Sequence, residues 1–474
     1  MQSTNDWLAT QPIDAPIAPL RSSPSLQNHG IPARLNDART GTARVAFAAF
    51  IGTTIEWYDF YIYSTASALI FSHTFFPPAT HPLAGILGSF AAYGVGFFAR
   101  PLGAVFAGHF GDRIGRKRVL VLSLVLMGVA TLLTGLLPTY ASAGLLATAL
   151  LVTLRLLQGV ATGAEWGGAS LLSVEHAAPR RRGLLGSFTQ VGSATGMLLA
   201  SGTFLAVRST LPVEAFNDWG WRIPFLFSVV LVAVGAFVRS RIDEPAPFVA
   251  MQSEGRIRRA PVADVLRHHR RALLVTIGLR LLQPAMYAIV TTYAISYLNL
   301  KRGGASYALT AVIVGSAFAV IATPLWAALT DRIGRRGPAI WAVVGLSLLV
   351  WPFFWFLDHG DLRYLPLVFA IELALFDAAI YAPGAAWFAE QFPVEVRYSG
   401  ISLGYQIGTL ISGGLTPFVA AALLAVGGNT PWLICAYISA LGLLSLIAVL
   451  AAADPAARGA LRAPQPAVDP AVIT

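Results

Sequence analysis

Long apolar stretches alternate with short polar turns along this chain, and each stretch is about the 20 residues that an α-helix needs to cross a bilayer. Six lie near 44–71, 84–110, 119–137, 143–173, 183–207 and 221–240. Six more lie near 271–298, 306–329, 338–357, 364–390, 399–426 and 431–452. The pattern predicts an all-α membrane protein of twelve transmembrane helices in two six-helix bundles, 43–241 and 271–452. A polar, proline-broken linker (242–270) joins them. Residues 1–42 read as a disordered cytoplasmic tail and 453–474 as a second, short tail.

Composition narrows the class. With 56% hydrophobic and 12% charged residues and a mean hydropathy of +0.65, the chain does not fit a soluble multidomain protein. The net charge of +10 would suggest nucleic acid in a soluble protein; here the basic residues mark topology instead. With the N-terminus inside, 25 of the 33 fall on cytoplasmic tails and loops. Arg208, Arg222, Lys301, Arg302 and Arg363 fall on the opposite side. Both termini are therefore expected in the cytoplasm. Arg100, Arg155 and Arg280 remain, all at membrane depth. The single cysteine, Cys435, excludes an intrachain disulfide. No HExxH, GxSxG or Cys/His cluster is present, so neither an enzyme, a metal site nor a cofactor is expected. Only two of the 33 basic residues are lysine, which suggests a GC-rich bacterial genome and an inner membrane.

The halves repeat. "GDRIGRK" at 111–117 returns as "TDRIGRR" at 330–336, and Glu175 with Arg182 returns as Glu390 with Arg397. Parallel six-span halves of this kind describe a large class of secondary transporter. On "GDRIGRKR" the chain resembles the major facilitator superfamily. More narrowly it resembles the metabolite:proton symporter family, through "EWYDFYIY", "FFARPLGAVFAGHFGDRIGRKR", "RLLQGVATGAEWGGASLLSVE", "RRGLLGSFTQVGSATG", "GWRIPFL" and "FPVEVRYSGISLGYQIGTLISGG". The match runs from about 43 to 450. Ala104 and Ala164 stand where a second glycine is more usual, and neither change removes a charge.

Several charged residues lie where charge is costly. Glu56 and Asp59 sit on one face of the first span, although a carboxylate at the bilayer centre costs roughly 2.5–3.5 kcal/mol. Helix rise places Asp59 about 22 Å from Arg44 and Arg155 about 18 Å into the fourth span, so the two overlap in depth. The resemblance implies that Asp59 and Arg155 couple transport to protons, with Glu56 as the other acid. A fixed Asp59–Arg155 salt bridge is the alternative. Arg280 with Glu372 or Asp377 offers a counterpart of reversed sign in the second half, expected to hold substrate at the midplane, with a static Arg280–Asp377 bridge as the alternative. Arg100 suits a carboxylate through its planar fork. Tyr58, Glu165, Gln190, Gln283 and Tyr287 complete the expected cavity, on spans that line the path in the superfamily. Asp112 and Asp331 are expected to close the cytoplasmic side against the starts of spans eleven and five. Arg116 and Arg335 are expected to reach Glu175 and Glu390, beside Arg182 and Arg397. "GVATGAEWG" and "GSATG" space glycines for close helix contact.

The expected function is proton symport of a small polar metabolite by alternating access, a mono- or dicarboxylate such as a keto acid, a shikimate-like acid or citrate. Uptake of a zwitterion such as proline or betaine is the alternative, followed by a proton-driven exporter or a non-transporting sensor. Partners are the substrate, the proton and the bilayer, with no nucleic acid and a monomer as the working unit.

Overall fold

A computed structural model describes residues 33–77, 82–114, 116–163, 174, 177, 181–240, 261–394 and 396–455. Twelve long helices run among them: α1 (Ala33–Leu69), α2 (Pro82–Ile114), α3 (Arg116–Leu136), α4 (Leu145–Gly163), α5 (Arg182–Thr210) and α6 (Ile223–Ser240). The second half comprises α7 (Arg270–Arg302), α8 (Ala305–Ile333), α9 (Arg336–His359), α10 (Leu362–Ala389), α11 (Arg397–Val426) and α12 (Trp432–Ala451). Only helices satisfy every backbone group internally within lipid, which is why long apolar runs adopt them. Large apolar side chains such as Phe318, Ile321 and Leu325 on α8 point outward, where lipid would meet them. Two boundaries differ from expectation. The first helix already runs at Ala33, inside the expected tail, and the linker contains the helix Pro261–His268.

The described residues from Thr42 onward form one compact unit. Across its two halves, α5 packs on α8 and α2 packs on α11. Under the six-span repeat α2 corresponds to α8 and α5 to α11, so these two contacts are equivalent. Glycines set the approach of α2 to α4. A Cβ on Gly163 would lie 2.0 Å from the Arg100 carbonyl oxygen, and one on Gly159 would lie 2.0 Å from that of Gly96. Gly163→Ala is therefore expected to force these helices apart at a cost of about 1–3 kcal/mol. A lowered melting temperature of the detergent-solubilised protein would register it.

The second-half helices are interrupted where hydropathy gives no sign of it. π-Helical turns occupy Ile289–Tyr293 in α7, Ile371–Asp377 in α10 and Leu410–Gly414 in α11. The helix of α7 also breaks at Arg280. Pro284 has no N–H to offer the Arg280 carbonyl four residues earlier. Ser412 Oγ donates to that carbonyl instead, at 3.0 Å, and Ser445 Oγ bridges the same break by accepting from Leu282 N–H and donating to Gly278 O. Such breaks are where helical transporters place binding groups.

Candidate functional site: a cavity between the two halves

A cavity lies between the halves. The first half supplies Trp57, Phe60 and Tyr61 from α1, Tyr93 and Phe97 from α2, and Ser193 from α5. The second half supplies Arg280, Gln283, Tyr287, Thr291 and Thr292 from α7, Tyr381 from α10 and Thr409 from α11. The two halves touch on both sides of it. Toward one end Ser296 Oγ donates to Ala68 O at 2.7 Å and Tyr293 packs against Phe90. Toward the other, Gln190 Nε2 donates to Tyr381 O at 3.3 Å.

Arg280 is the membrane-depth arginine that reaches the cavity. Its guanidinium donates to the Gln283 amide oxygen, to the Tyr405 hydroxyl at 2.8 Å and to Thr409 Oγ1 at 3.1 Å. All three acceptors are neutral. Gln283 Nε2 in turn donates to Asp377 Oδ1 at 2.7 Å, so Arg280 and Asp377 are linked through an amide rather than by a direct bridge. Neither Glu372 nor Asp377 lines the cavity; both lie buried behind it.

The first half arranges its charges differently from expectation. Among the described residues no ion pair joins Asp59 to Arg155. Arg155 donates to Tyr93 O at 3.4 Å and to Gln158 Oε1 at 3.1 Å, and its guanidinium lies over the rings of Phe60 and Tyr63 at 4.4 and 4.2 Å. Gly96 makes room for it: a Cβ there would lie 2.7 Å from Arg155 Nε. Asp59 is fully buried, and neither of its oxygens accepts a hydrogen bond from a described residue. It lies beside Thr131. That hydroxyl accepts from Gln158 Nε2 at 2.6 Å and gives its own proton to Met127 O. Equal depth thus did not mean contact, because the Arg155 side chain turns toward aromatic faces instead. Arg100 lies over Phe60, at 4.6 Å, and Phe97, at 4.3 Å, and within electrostatic reach of Glu56 and Tyr405. Aromatic rings separate both arginines from the cavity.

Other expected residues divide. Gln283 and Tyr287 line the cavity, while Gln190 lies at its closed end. Tyr58 does not belong there: its hydroxyl donates to Pro224 O on α6 at 3.0 Å. Glu165 and Glu175 lie outside the described residues, as do the side chains of Asp112 and Arg116. Trp57, Tyr61, Tyr93, Ser193, Tyr381 and Thr409 were not foreseen. A usable signal existed for α7, since "RLLQ" at 280–283 repeats "RLLQ" at 155–158. In both copies the arginine donates to the glutamine of the same turn.

The expected cytoplasmic end carries a charge network. The Asp331 carboxylate accepts the N–H groups of Gly183 and Leu184, at 2.9 and 3.0 Å, at the first turn of α5. Arg335 donates two parallel hydrogen bonds to Glu390, at 2.9 and 2.7 Å. Burial raises the Glu390 carboxyl above its ordinary range, and Arg335 opposes that shift. Arg182 lies within electrostatic reach of Glu390, and Arg397 donates to Phe392 O. Asp454, in the expected tail, also joins: its carboxylate accepts from Arg335 and Arg336 N–H and so caps α9. Charge-assisted hydrogen bonds are worth about 1.5–3 kcal/mol. Asp331→Asn is therefore expected to shift the protein toward opening at this end by roughly ten- to a hundredfold. Thiol labelling at a Thr189→Cys probe would report it, because the native Cys435 is buried.

A sequence profile of the Major Facilitator Superfamily matches residues 49–371. The chain is 39% identical over 416 residues to the shikimate transporter of Escherichia coli (strain K12), covering 87% of this chain and 94% of that protein. It is 31% identical over 432 residues to the proline/betaine transporter of Salmonella typhimurium (strain LT2), covering 87% and 84%. Among solved structures, a D-xylose-proton symporter superposes with a TM-score of 0.65 at 18% identity, over 86% of this chain and 96% of that one.

Proposed function

Because the chain belongs to the major facilitator superfamily, whose members carry solutes across membranes and are not enzymes, we propose that it imports a small hydroxy or keto acid of the shikimate kind together with protons. Arg280 carries this reading. Its charge faces the cavity and is held by neutral acceptors, which leaves it free to bind a carboxylate through two parallel hydrogen bonds. Around it Tyr61, Ser193, Tyr287, Thr291, Thr292 and Thr409 offer hydroxyls, and Trp57 and Phe60 offer apolar faces. Such a lining suits a hydroxylated ring or chain.

Proton coupling is assigned to Asp59. An ionised carboxylate in that buried place lacks hydrogen bonds and a direct cation, so the enclosed conformation favours its neutral form. When the half opens and water reaches α1, the proton leaves. Arg155 acts on Asp59 through Gln158 and Thr131 rather than by a direct bridge. The reading includes a bacterial inner membrane with both termini cytoplasmic, which the concentration of arginines in one set of loops supports.

The zwitterion alternative is disfavoured by Arg100. An ammonium would seek the aromatic faces of Trp57, Phe60 and Phe97, but the Arg100 guanidinium already lies over all three. A competition assay separates the readings. Uptake of radiolabelled shikimate should be blocked by excess shikimate and related hydroxy acids and left intact by proline and betaine. Inhibition by proline or betaine alone would favour the zwitterion.

A further inference from the structure

Glu372 is not explained by the cavity. It is fully buried in the π-helical turn of α10, and neither carboxylate oxygen accepts a hydrogen bond from a described residue. Asp377 ends the same turn, is also buried, and holds one hydrogen bond, from Gln283. A π-turn carries residues five apart onto one side of the helix, which brings the two carboxyls into electrostatic contact. The groups facing them are few. From α7 come Arg280, acting through Gln283, and the Tyr287 hydroxyl; from α10 itself comes Tyr381, beside Tyr287. The packed faces of α8 and α9 contribute Trp326, whose indole donates to Ala374 O, and Trp341, stacked on Phe376. The buried cation at the far end of α8, Arg335, is committed to Glu390.

We propose that Glu372 and Asp377 form a second proton site, separate from Asp59, that takes up a proton when an anionic substrate occupies Arg280. Two buried carboxyls on one π-turn hold at least one proton between them, because both charges cannot be supported without a direct cation. Asp377 is the charged member, sustained through Gln283 by the positive Arg280. A substrate carboxylate on Arg280 neutralises that support and draws the guanidinium away from Gln283. The remaining charge on the pair then favours a proton. By reciprocity, loading the pair with protons strengthens anion binding. Glu372 is thus the acid that keeps the pair partly protonated, and the π-turn is the backbone device that places it there.

This inference rests on the symport reading for its purpose, but the test does not need transport. Infrared pH-difference spectra of purified, detergent-solubilised protein read the carbonyl stretch of protonated carboxylic acids directly. Asp59→Asn should keep a protonated-carboxyl signal, and adding Glu372→Gln should remove it. Should Glu372→Gln not fold, Asp377→Asn in the Asp59→Asn background should shift or abolish the same signal. Absence of any protonated-carboxyl signal in Asp59→Asn, or a signal unmoved by both α10 variants, would overturn the proposal. In proteoliposomes loaded with shikimate, Asp377→Asn should carry one proton fewer per substrate than wild type, and an unchanged ratio would also overturn it. Lack of any shikimate transport by wild type would instead count against the substrate reading and leave the infrared result standing.

Discussion

Asp59→Asn is expected to abolish concentrative uptake while leaving substrate exchange intact. Asparagine resembles the neutral acid in shape but cannot release a proton, so the carrier crosses the enclosed conformation whether or not a gradient drives it. The wild-type acid imposes the opposite discipline. An ionised Asp59 would have to enter its buried place at a cost of roughly 2.5–3.5 kcal/mol, which slows the empty, deprotonated crossing by on the order of a hundredfold. In the proposed coupling role, that penalty ties movement to protonation. Measuring accumulation under an inward proton gradient beside counterflow in its absence separates the two behaviours. Accumulation by the variant equal to wild type would remove Asp59 from the coupling role.

Arg280→Gln should weaken substrate binding by roughly a hundredfold or more, since it removes the charge from a desolvated carboxylate contact typically worth about 2–5 kcal/mol. Arg280→Lys should recover little of this. The guanidinium divides its donors among Gln283, Tyr405 and Thr409, and a lysine ammonium cannot reproduce that planar arrangement. Direct binding by calorimetry, with shikimate as the probe, checks both variants. A matching series at Arg100 should show a smaller loss, because its guanidinium lies against Phe60 and Phe97 rather than in the cavity. Equal losses at the two positions would place Arg100 in the binding site as well.

The fold was legible because lipid imposes a simple code. Segment length, apolar content and arginine-rich loops mark where helices run, and the "DRIGR" loops announce the repeat. The site was less legible, for a geometric reason. Depth along a helix follows from counting residues, but facing does not: Tyr58 and Tyr61 are one turn apart, yet Tyr58 bonds α6 and Tyr61 lines the cavity. Arg155 matches Asp59 in depth and turns instead toward Phe60 and Tyr63. Aromatic and hydroxyl residues such as Tyr93, Ser193 and Thr409 are common in membrane helices, so nothing in the sequence singles them out. Pro284 and the second "RLLQ" were visible signs that α7 breaks at a bonded arginine. The π-turn that joins Glu372 to Asp377 left no trace in composition or hydropathy.

The central claim is proton-driven import of a hydroxy acid, and proteoliposomes containing the purified protein test it most directly. Radiolabelled shikimate should accumulate above its outside concentration under an inward proton gradient, and the accumulated label should leave on addition of a protonophore. Shikimate that merely equilibrates, with the same time course whether or not the gradient is present, would contradict the account.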